Sequence, residues 1–417
     1  MLQPVPVAQK SLADYTHLAG KPLVEEVIEL ASELQGLRVL HLSATAFGGG
    51  VAEILYTLVP LMKDVGIDVE WQVMLGREEF YNVTKQIHNA LQGDPHDPTP
   101  EEWQIYAKYN EINSRELDGD WDVIVVHDPQ PAAVREYVPE RAARWIWRCH
   151  IDVSEPNPTA LERIVPLVAG YDDVLFHMDK YVPRTLLEGA GRNGRPDVHV
   201  VPPAIDPLSP KNMRLSPEDA AFVCDQFGID VDRPLMCQVS RFDPWKDPIG
   251  VIDAYKRVRK QMPEVQLALV GSMATDDPEG WDFFNQTMAY ADGDPDIHIL
   301  NNFNNVGAIE VNAFQSQADV VIQKSTREGF GLTVSEALWK GRPFIGGDVG
   351  GIPLQIRDGE TGYLVSTPDQ CADRSLAILA DPELGRRLGR AGKELVRSSF
   401  LTPRLLRDWL RIFSTSR

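Results

Sequence analysis

The chain has 417 residues, too many for one ordinary hydrophobic core, and this points to two domains. At 43% hydrophobic and 24% charged, with no low-complexity tract, it has the composition of a globular protein rather than a disordered or fibrous one. Its 41 basic and 61 acidic residues leave a net charge of −20, which argues against non-specific binding to nucleic acid or to an anionic membrane and makes any local pair of cations informative.

In chain order, residues 1–36 read as an N-terminal extension with an amphipathic helix at about 21–35. Its start, MLQPVPVAQK, has no basic residues followed by an apolar run, so no signal peptide is expected. Short aliphatic runs then alternate with longer amphipathic ones. GLRVLHLS (36–43) and DVEWQVML (68–75) predict strands, and VAEILYTLVPLMKDVG (51–66) predicts a helix that Pro60 should kink or end early. Further strands are predicted at WDVIVVHD (121–128), RWIWRCHID (144–152), DDVLFHM (172–178) and DVHVVPPAID (197–206). The aperiodic, Pro-rich DPLSPKNMRLSP begins at residue 206, and 207–216 reads as an interdomain linker. The alternation restarts with strands at PLMCQVSR (234–241), VQLALVG (265–271), DIHIL (296–300), ADVVIQKS (318–325), PFIGG (343–347) and ETGYLV (360–365). Helices are predicted between them at 248–262, 306–317 and 332–341, with a helical tail after the last strand.

This alternation predicts two α/β, doubly wound, Rossmann-like domains, 37–206 and 217–399. Ligands of such sheets lie at the carboxyl ends of the strands, so two facing halves should hold a site in the cleft between them. Cys149, Cys224, Cys237 and Cys371 are scattered, without CxxC or zinc-like spacing, and predict buried free thiols in a reducing compartment. No apolar stretch approaches the roughly 20 residues of a membrane span. A cytoplasmic location is expected.

Five stretches could carry chemistry. In HLSATAFGGGVAEIL (41–55), Gly48, Gly49 and Gly50 open a helix after a strand; they allow close backbone approach to a ligand, or they form a plain tight turn. The fingerprint GxGxxG and the P-loop lysine are both absent. In VSRFDPWKD (239–247), Arg241 and Lys246 leave a strand five positions apart and suit a polyanion, unless both are ordinary solvated cations. In EGFGLTVSE (328–336), Glu328 and Glu336 flank a glycine pair at a helix start, where the N–H groups of Phe330, Gly331 and Leu332 should point outward and a diphosphate would fit. Acids that merely complement the helix dipole are the plainer reading. In VVHDPQPAA (125–133) and WIWRCHIDVSEPNP (145–158), His127, Asp128, Gln130, His150 and Asp152 follow strand ends, where structural roles compete with functional ones. The DxD-like pairs Asp118/Asp120, Asp230/Asp232 and Asp292/Asp294 lie in turn-like segments and read as turns, so no metal site is expected.

Taken together, the Glu-x7-Glu with GFGL inside it, the Arg241…Lys246 pair, DVGGIPLQIRDGETGYLV (348–365) and the glycine-rich first loop resemble the retaining nucleotide-sugar glycosyltransferases of family four, which have the GT-B fold. The resemblance runs from about residue 37 to the end, and GGGVAEILYTLVPLMKDVGIDVEW and WIWRCHIDVSEPNP resemble a trehalose-forming branch of it. It implies reversible transfer of glucose from a nucleoside-diphosphate glucose, such as UDP-glucose or ADP-glucose, to free glucose, giving α,α-trehalose. No cofactor or metal is implied, and front-face attack is, since no carboxylate nucleophile is evident. By the same resemblance, Arg241 and Lys246 hold the diphosphate, and Glu336 holds the ribose. Glu328 holds the donor sugar's hydroxyls, the backbone of Phe330, Gly331 and Leu332 donates to the donor, and Gly48, Gly49 and Gly50 close over it. His150 lies near its reacting face. Residues 400–417 should form a helix packing back on the first domain. One departure is visible: many relatives carry Glu where GGIPLQ has Leu354, followed here by Gln355. Asp128, Gln130 and Asp152 are candidates for holding the acceptor glucose. Partners are expected to be small molecules, with neither nucleic acid nor membrane, and a homodimer stays open. The alternatives are a retaining trehalose phosphorylase or another member of the family, a nicotinamide-dependent oxidoreductase, and a non-catalytic sugar or nucleotide binder.

Overall fold

The computed structural model describes residues 2–47, 49–187, 196–273 and 278–415. The chain falls into two units, Met1–Pro203 with Thr402–Arg417, and Ala204–Leu401.

The first unit is built on a seven-stranded sheet of β1 (Gln3–Pro4), β2 (Arg38–Ser43), β3 (Asp68–Val73), β4 (Trp121–His127), β5 (Ala142–Arg148), β6 (Asp173–Phe176) and β7 (Asp197–Val200). The strand order is β1-β3-β2-β4-β5-β6-β7, parallel except for β1 against β3. β2 and β4 are buried almost end to end, the continuous apolar pattern of a parallel strand covered on both faces, whereas β7 at the sheet edge is only partly covered. The second unit carries β8 (Leu235–Val239), β9 (Gln266–Gly271), β10 (Ile297–Asn301), β11 (Val320–Gln323), β12 (Phe344–Gly347) and β13 (Tyr363–Val365). All are parallel, in the order β10-β9-β8-β11-β12-β13. Both sheets are doubly wound. Strand order reverses between β2 and β4 in the first unit and between β8 and β11 in the second, and such switch points open a crevice at the strands' carboxyl ends.

Several local features differ from the sequence expectation. The helix Gly50–Asp64 runs through Pro60 instead of stopping there; Ile54, Leu55, Leu58, Val59, Leu61 and Met62 are all buried, so core packing outweighs the one helix hydrogen bond that proline removes. Two helices, Glu78–Leu91 and Pro100–Arg115, fill a stretch to which the sequence reading assigned nothing. The second is announced by a capping box, in which Thr99 accepts from the Glu102 N–H and Glu102 accepts from the Thr99 N–H at 2.6 Å. Residues 207–216, read as a linker, lie inside the second unit, pinned by the buried Asn312, whose Nδ2 donates to the carbonyls of Pro210 and Met213. Residues 1–36 lie in the first unit, where β1 extends the sheet and the helix Lys21–Ser32 packs against the final helix Thr402–Ser414.

All four cysteines are buried and unbridged. Among the described residues, no helix is long and apolar enough to cross a membrane.

Candidate active site

In the second unit, the loop after β8 is shaped by two Asp-Pro steps. Asp243 caps the short turn Pro244–Lys246, accepting from the Lys246 N–H at 3.1 Å. Asp247, held at φ 48°, caps the helix Pro248–Arg259, accepting from the Gly250 N–H at 3.0 Å. These caps fix the backbone on either side of Lys246. The loop after β11 meets it there: the Thr326 N–H donates to the Trp245 carbonyl at 2.8 Å, and the buried Lys324 forms an ion pair with Asp247. Lys246 Nζ then lies 2.6 Å from Glu328 Oε2, with both side chains mostly covered. Ser325 Oγ donates to the same carboxylate oxygen at 3.3 Å. Arg241 is not drawn into this pair. It points outward, 66% exposed, with its guanidinium 3.3 Å from Asp243 Oδ2.

The stretch between the two glutamates begins the helix Leu332–Trp339, with Gly331 as its N-cap at φ 80°. That conformation favours glycine, and a Cβ here would meet Glu328 Cγ at 3.2 Å. The Val334 N–H turns back to the Gly331 carbonyl at 3.0 Å, while the first N–H groups of an α-helix have no i−4 acceptor within it. Phe330 is buried against Phe400, with ring centroids 5.6 Å apart. Gln355 locks the stretch from below: its Nε2 donates to the Phe330 carbonyl at 2.6 Å, and its Oε1 accepts from Ser335 Oγ at 2.5 Å. Sequence reading saw position 355 only as part of a departure from the family pattern, because the clamp exists only in three dimensions. Glu336 is almost wholly buried, with Lys211 Nζ 3.3 Å from its Oε1, a partner in the segment read as a linker. One turn on, Lys340 donates to Asn212 Oδ1 and to the Glu336 carbonyl, both at 3.1 Å, and burial pulls its ammonium pKa down to about 7.

In the first unit, the predicted residues gather at the carboxyl ends of β2, β4 and β5. Gly49, at φ 100°, caps the helix Gly50–Asp64; Gly48 lies outside the described residues. Asp128 follows β4 in a left-handed conformation (φ 67°), and its Oδ1 accepts from the His150 N–H at 2.7 Å. Burial raises its carboxyl pKa to about 7. Asp152 forms a local turn, its Oδ1 accepting from the Ser154 N–H at 2.9 Å. Gln130 keeps a buried Oε1 for which no hydrogen-bond partner is found among the described residues.

One constellation was not foreseen as a unit. His41, His127 and His150 form a line of imidazoles. His41 Nδ1 lies 2.9 Å from His127 Nε2, and His127 Nδ1 lies 2.9 Å from His150 Nε2. Burial holds all three well below the usual histidine range, His41 at about 3. In each DxD-like pair one carboxylate has a partner: Asp118 Oδ1 accepts from the Gly119 N–H, Asp230 Oδ1 accepts from the Asp232 N–H, and Asp294 pairs with Arg259.

Two doubly wound sheets, with a lysine–glutamate pair and a glycine-capped helix start at the second sheet's switch point, define a glycosyltransferase of the GT-B class. The family model for glycosyl transferases group 1 matches residues 222–395, and that for the trehalose synthase N-terminal domain matches residues 41–183. The trehalose synthase of Rubrobacter xylanophilus is 56% identical over 99% of both chains, and that of Thermococcus litoralis is 44% identical over 97% of each. The chain belongs to the trehalose synthase family. Among solved structures, a sucrose-phosphate synthase from Thermosynechococcus elongatus shares the fold, with a TM-score of 0.66 at 20% identity over 91% of this chain and 100% of that one.

Proposed function

We propose that this enzyme moves glucose from a nucleoside-diphosphate glucose to the anomeric hydroxyl of free glucose, giving α,α-trehalose with retention, reversibly and without a metal ion. The observation that carries the reading is the covered Lys246–Glu328 pair at 2.6 Å beside the Gly331-capped helix start. A cation, a carboxylate and the N-terminal end of a helix meet there, as a sugar diphosphate requires. The 56% identity with a trehalose synthase supports the products.

In this reading Lys246, Arg241 and the N–H groups of Phe330, Gly331 and Leu332 hold the diphosphate. Arg241 is exposed and would swing from Asp243 to reach it. Glu328 accepts from hydroxyls of the donor sugar, and Glu336, with Lys211 beside it, accepts from the ribose. As the bond from the anomeric carbon to the phosphate oxygen breaks, its electron pair leaves with the diphosphate, where the cations stabilise it. The acceptor's oxygen bonds the anomeric carbon from the same face, and its proton passes to the departing phosphate oxygen. Lys246, held against Glu328, and Arg241, once swung inward, supply the stabilisation that a metal would give. Asp128, Gln130 and Asp152 of the first unit are the candidates for holding the acceptor. The four unbridged thiols fit a cytoplasmic setting.

The test is a product assay with ¹³C-labelled glucose and a panel of nucleoside-diphosphate glucoses, read by NMR. An α,α-1,1 linkage, formed equally well after EDTA treatment, is the expected result. No disaccharide from any donor, or trehalose cleaved by inorganic phosphate but not by a nucleoside diphosphate, would overturn the reading.

A further inference from the structure

The line of histidines in the first unit has a property that no single imidazole has. Each N···N contact, 2.9 Å in both cases, needs one proton between its two nitrogens. A neutral imidazole carries one N–H. The three rings must therefore share a tautomer: all protonated on Nδ1, or all on Nε2. Burial keeps the rings neutral, so no second proton relaxes this rule.

The far end of the line selects between the two states. His41 is fully buried, and no hydrogen-bond partner for its Nε2 is found among the described residues. A proton on that nitrogen would be a buried donor without an acceptor, and such orphaned donors are the rarer and costlier kind. The Trp409 ring, edge-on to His41 at 5.9 Å, offers at best a weak N–H···π contact. With its proton on Nδ1, His41 donates to His127 Nε2, and His127 Nδ1–H then donates to His150 Nε2. His150 is left with Nδ1–H to offer. Its ring is half-buried at the carboxyl end of β5, and its own backbone is fixed by Asp128.

We propose that His41 and His127 are positioning residues that hold His150 in the Nδ1–H tautomer, so that it meets substrate as a neutral hydrogen-bond donor. This rests on the reading of His150 as a donor-sugar residue. In this state Nε2 is engaged and Nδ1 is already protonated. His150 therefore donates to a sugar oxygen and does not take up the acceptor's proton, which leaves that proton to the phosphate oxygen.

The test begins with the unmodified full-length protein, ring-¹⁵N-labelled at its nine histidines. Long-range ¹H–¹⁵N correlation distinguishes the two tautomers of each neutral ring. Three rings of the Nδ1–H type, assigned to His41, His127 and His150 by single substitution, are expected; an Nε2–H pattern at any of the three would overturn the relay. The kinetic arm compares H127N with H127Q. Asparagine places its amide N–H where Nδ1–H stood, while glutamine reaches only the Nε2 position. Turnover of H127Q is expected about threefold to tenfold below that of H127N, the weight of one hydrogen bond, with kcat moving more than KM. Equal turnover in the two variants would also overturn the relay. Unimpaired turnover in H150F would instead refute the underlying role of His150, while the spectrum of the unmodified protein judges the relay separately.

Discussion

Lys246 is set between two aspartate caps, its ammonium 2.6 Å from Glu328 Oε2, and in the proposed reaction it faces the charge that develops on the leaving phosphate. K246A is expected to lower kcat about 10²–10³-fold, with little change in KM for glucose, as measured by initial rates in both substrates. A variant with unchanged kcat would remove Lys246 from the chemistry. Asp128 makes a different kind of statement. Burial raises its folded-state pKa to about 7, well above the ordinary aspartate value of about 4, so its contribution to stability is full below about pH 4 and is lost as pH rises through 7. D128N can still accept from the His150 N–H but does not titrate. Its stability relative to the unmodified protein should rise between pH 4 and 7, by on the order of 2–4 kcal/mol, as read by urea denaturation across that range. At this scale the sequence displayed Arg241, Lys246, Glu328 and Glu336, because strand-end cations and acids around a glycine loop are local patterns. It hid Lys211 and Gln355, whose partners lie 125 and 25 residues away in the chain (336 − 211 and 355 − 330). It also hid the histidine line, which three separate strands bring together.

The helix Leu332–Trp339 and the loop before it behave as one element, held by Gly331 at its start and Gln355 beneath. Q355A removes the donor to the Phe330 carbonyl, and G331A forces a side chain into a left-handed position. Each is expected to cost about 1–2 kcal/mol of stability, seen in thermal unfolding, and to weaken nucleoside-diphosphate binding in calorimetry while leaving the first unit's histidine spectrum unchanged. Tighter binding in either variant would show that this geometry does not serve the donor. Strands were legible as elements because buried parallel strands are unbroken aliphatic runs. The helix Pro100–Arg115 was less so: Tyr106, Tyr109, Asn110 and Asn113 fill its buried face, which blurs the apolar period, whereas Glu78–Leu91 buries Phe80, Val83, Ile87, Ala90 and Leu91 at regular helical spacing and was legible though not read. Pro60 misled for the opposite reason, since a single local rule yielded to a helix buried along most of its length.

At the scale of the molecule, alternation of strand and helix announced two doubly wound sheets, but the order of strands came only from the fold, since periodicity says nothing about which strands are neighbours. The final helix shows what order and connectivity add. Leu405, Leu406, Trp409, Leu410, Ile412 and Phe413 are buried in the first unit, Arg404 donates to the carbonyls of Pro202 and Pro203, and the buried Arg144 joins Asp173 to the Ile412 carbonyl at 2.7 Å. Those six side chains, at about 1.5–3 kcal/mol each, rival the whole stability of a typical domain. A chain ending at Leu401 is therefore expected to lose the cooperative unfolding of its first unit and to bind a hydrophobic dye, while residues 204–401 keep theirs. A full-strength first transition in calorimetry would contradict this. The same helix sets a schedule for the newborn polypeptide. The unit that leaves the ribosome first is the last to be completed, because its closing piece is encoded after the whole of its companion. Until Thr402–Ser414 has been made, the apolar flank awaiting that piece, along Lys21–Ser32 and Gly50–Asp64, stands open to chaperones and to other unfinished chains.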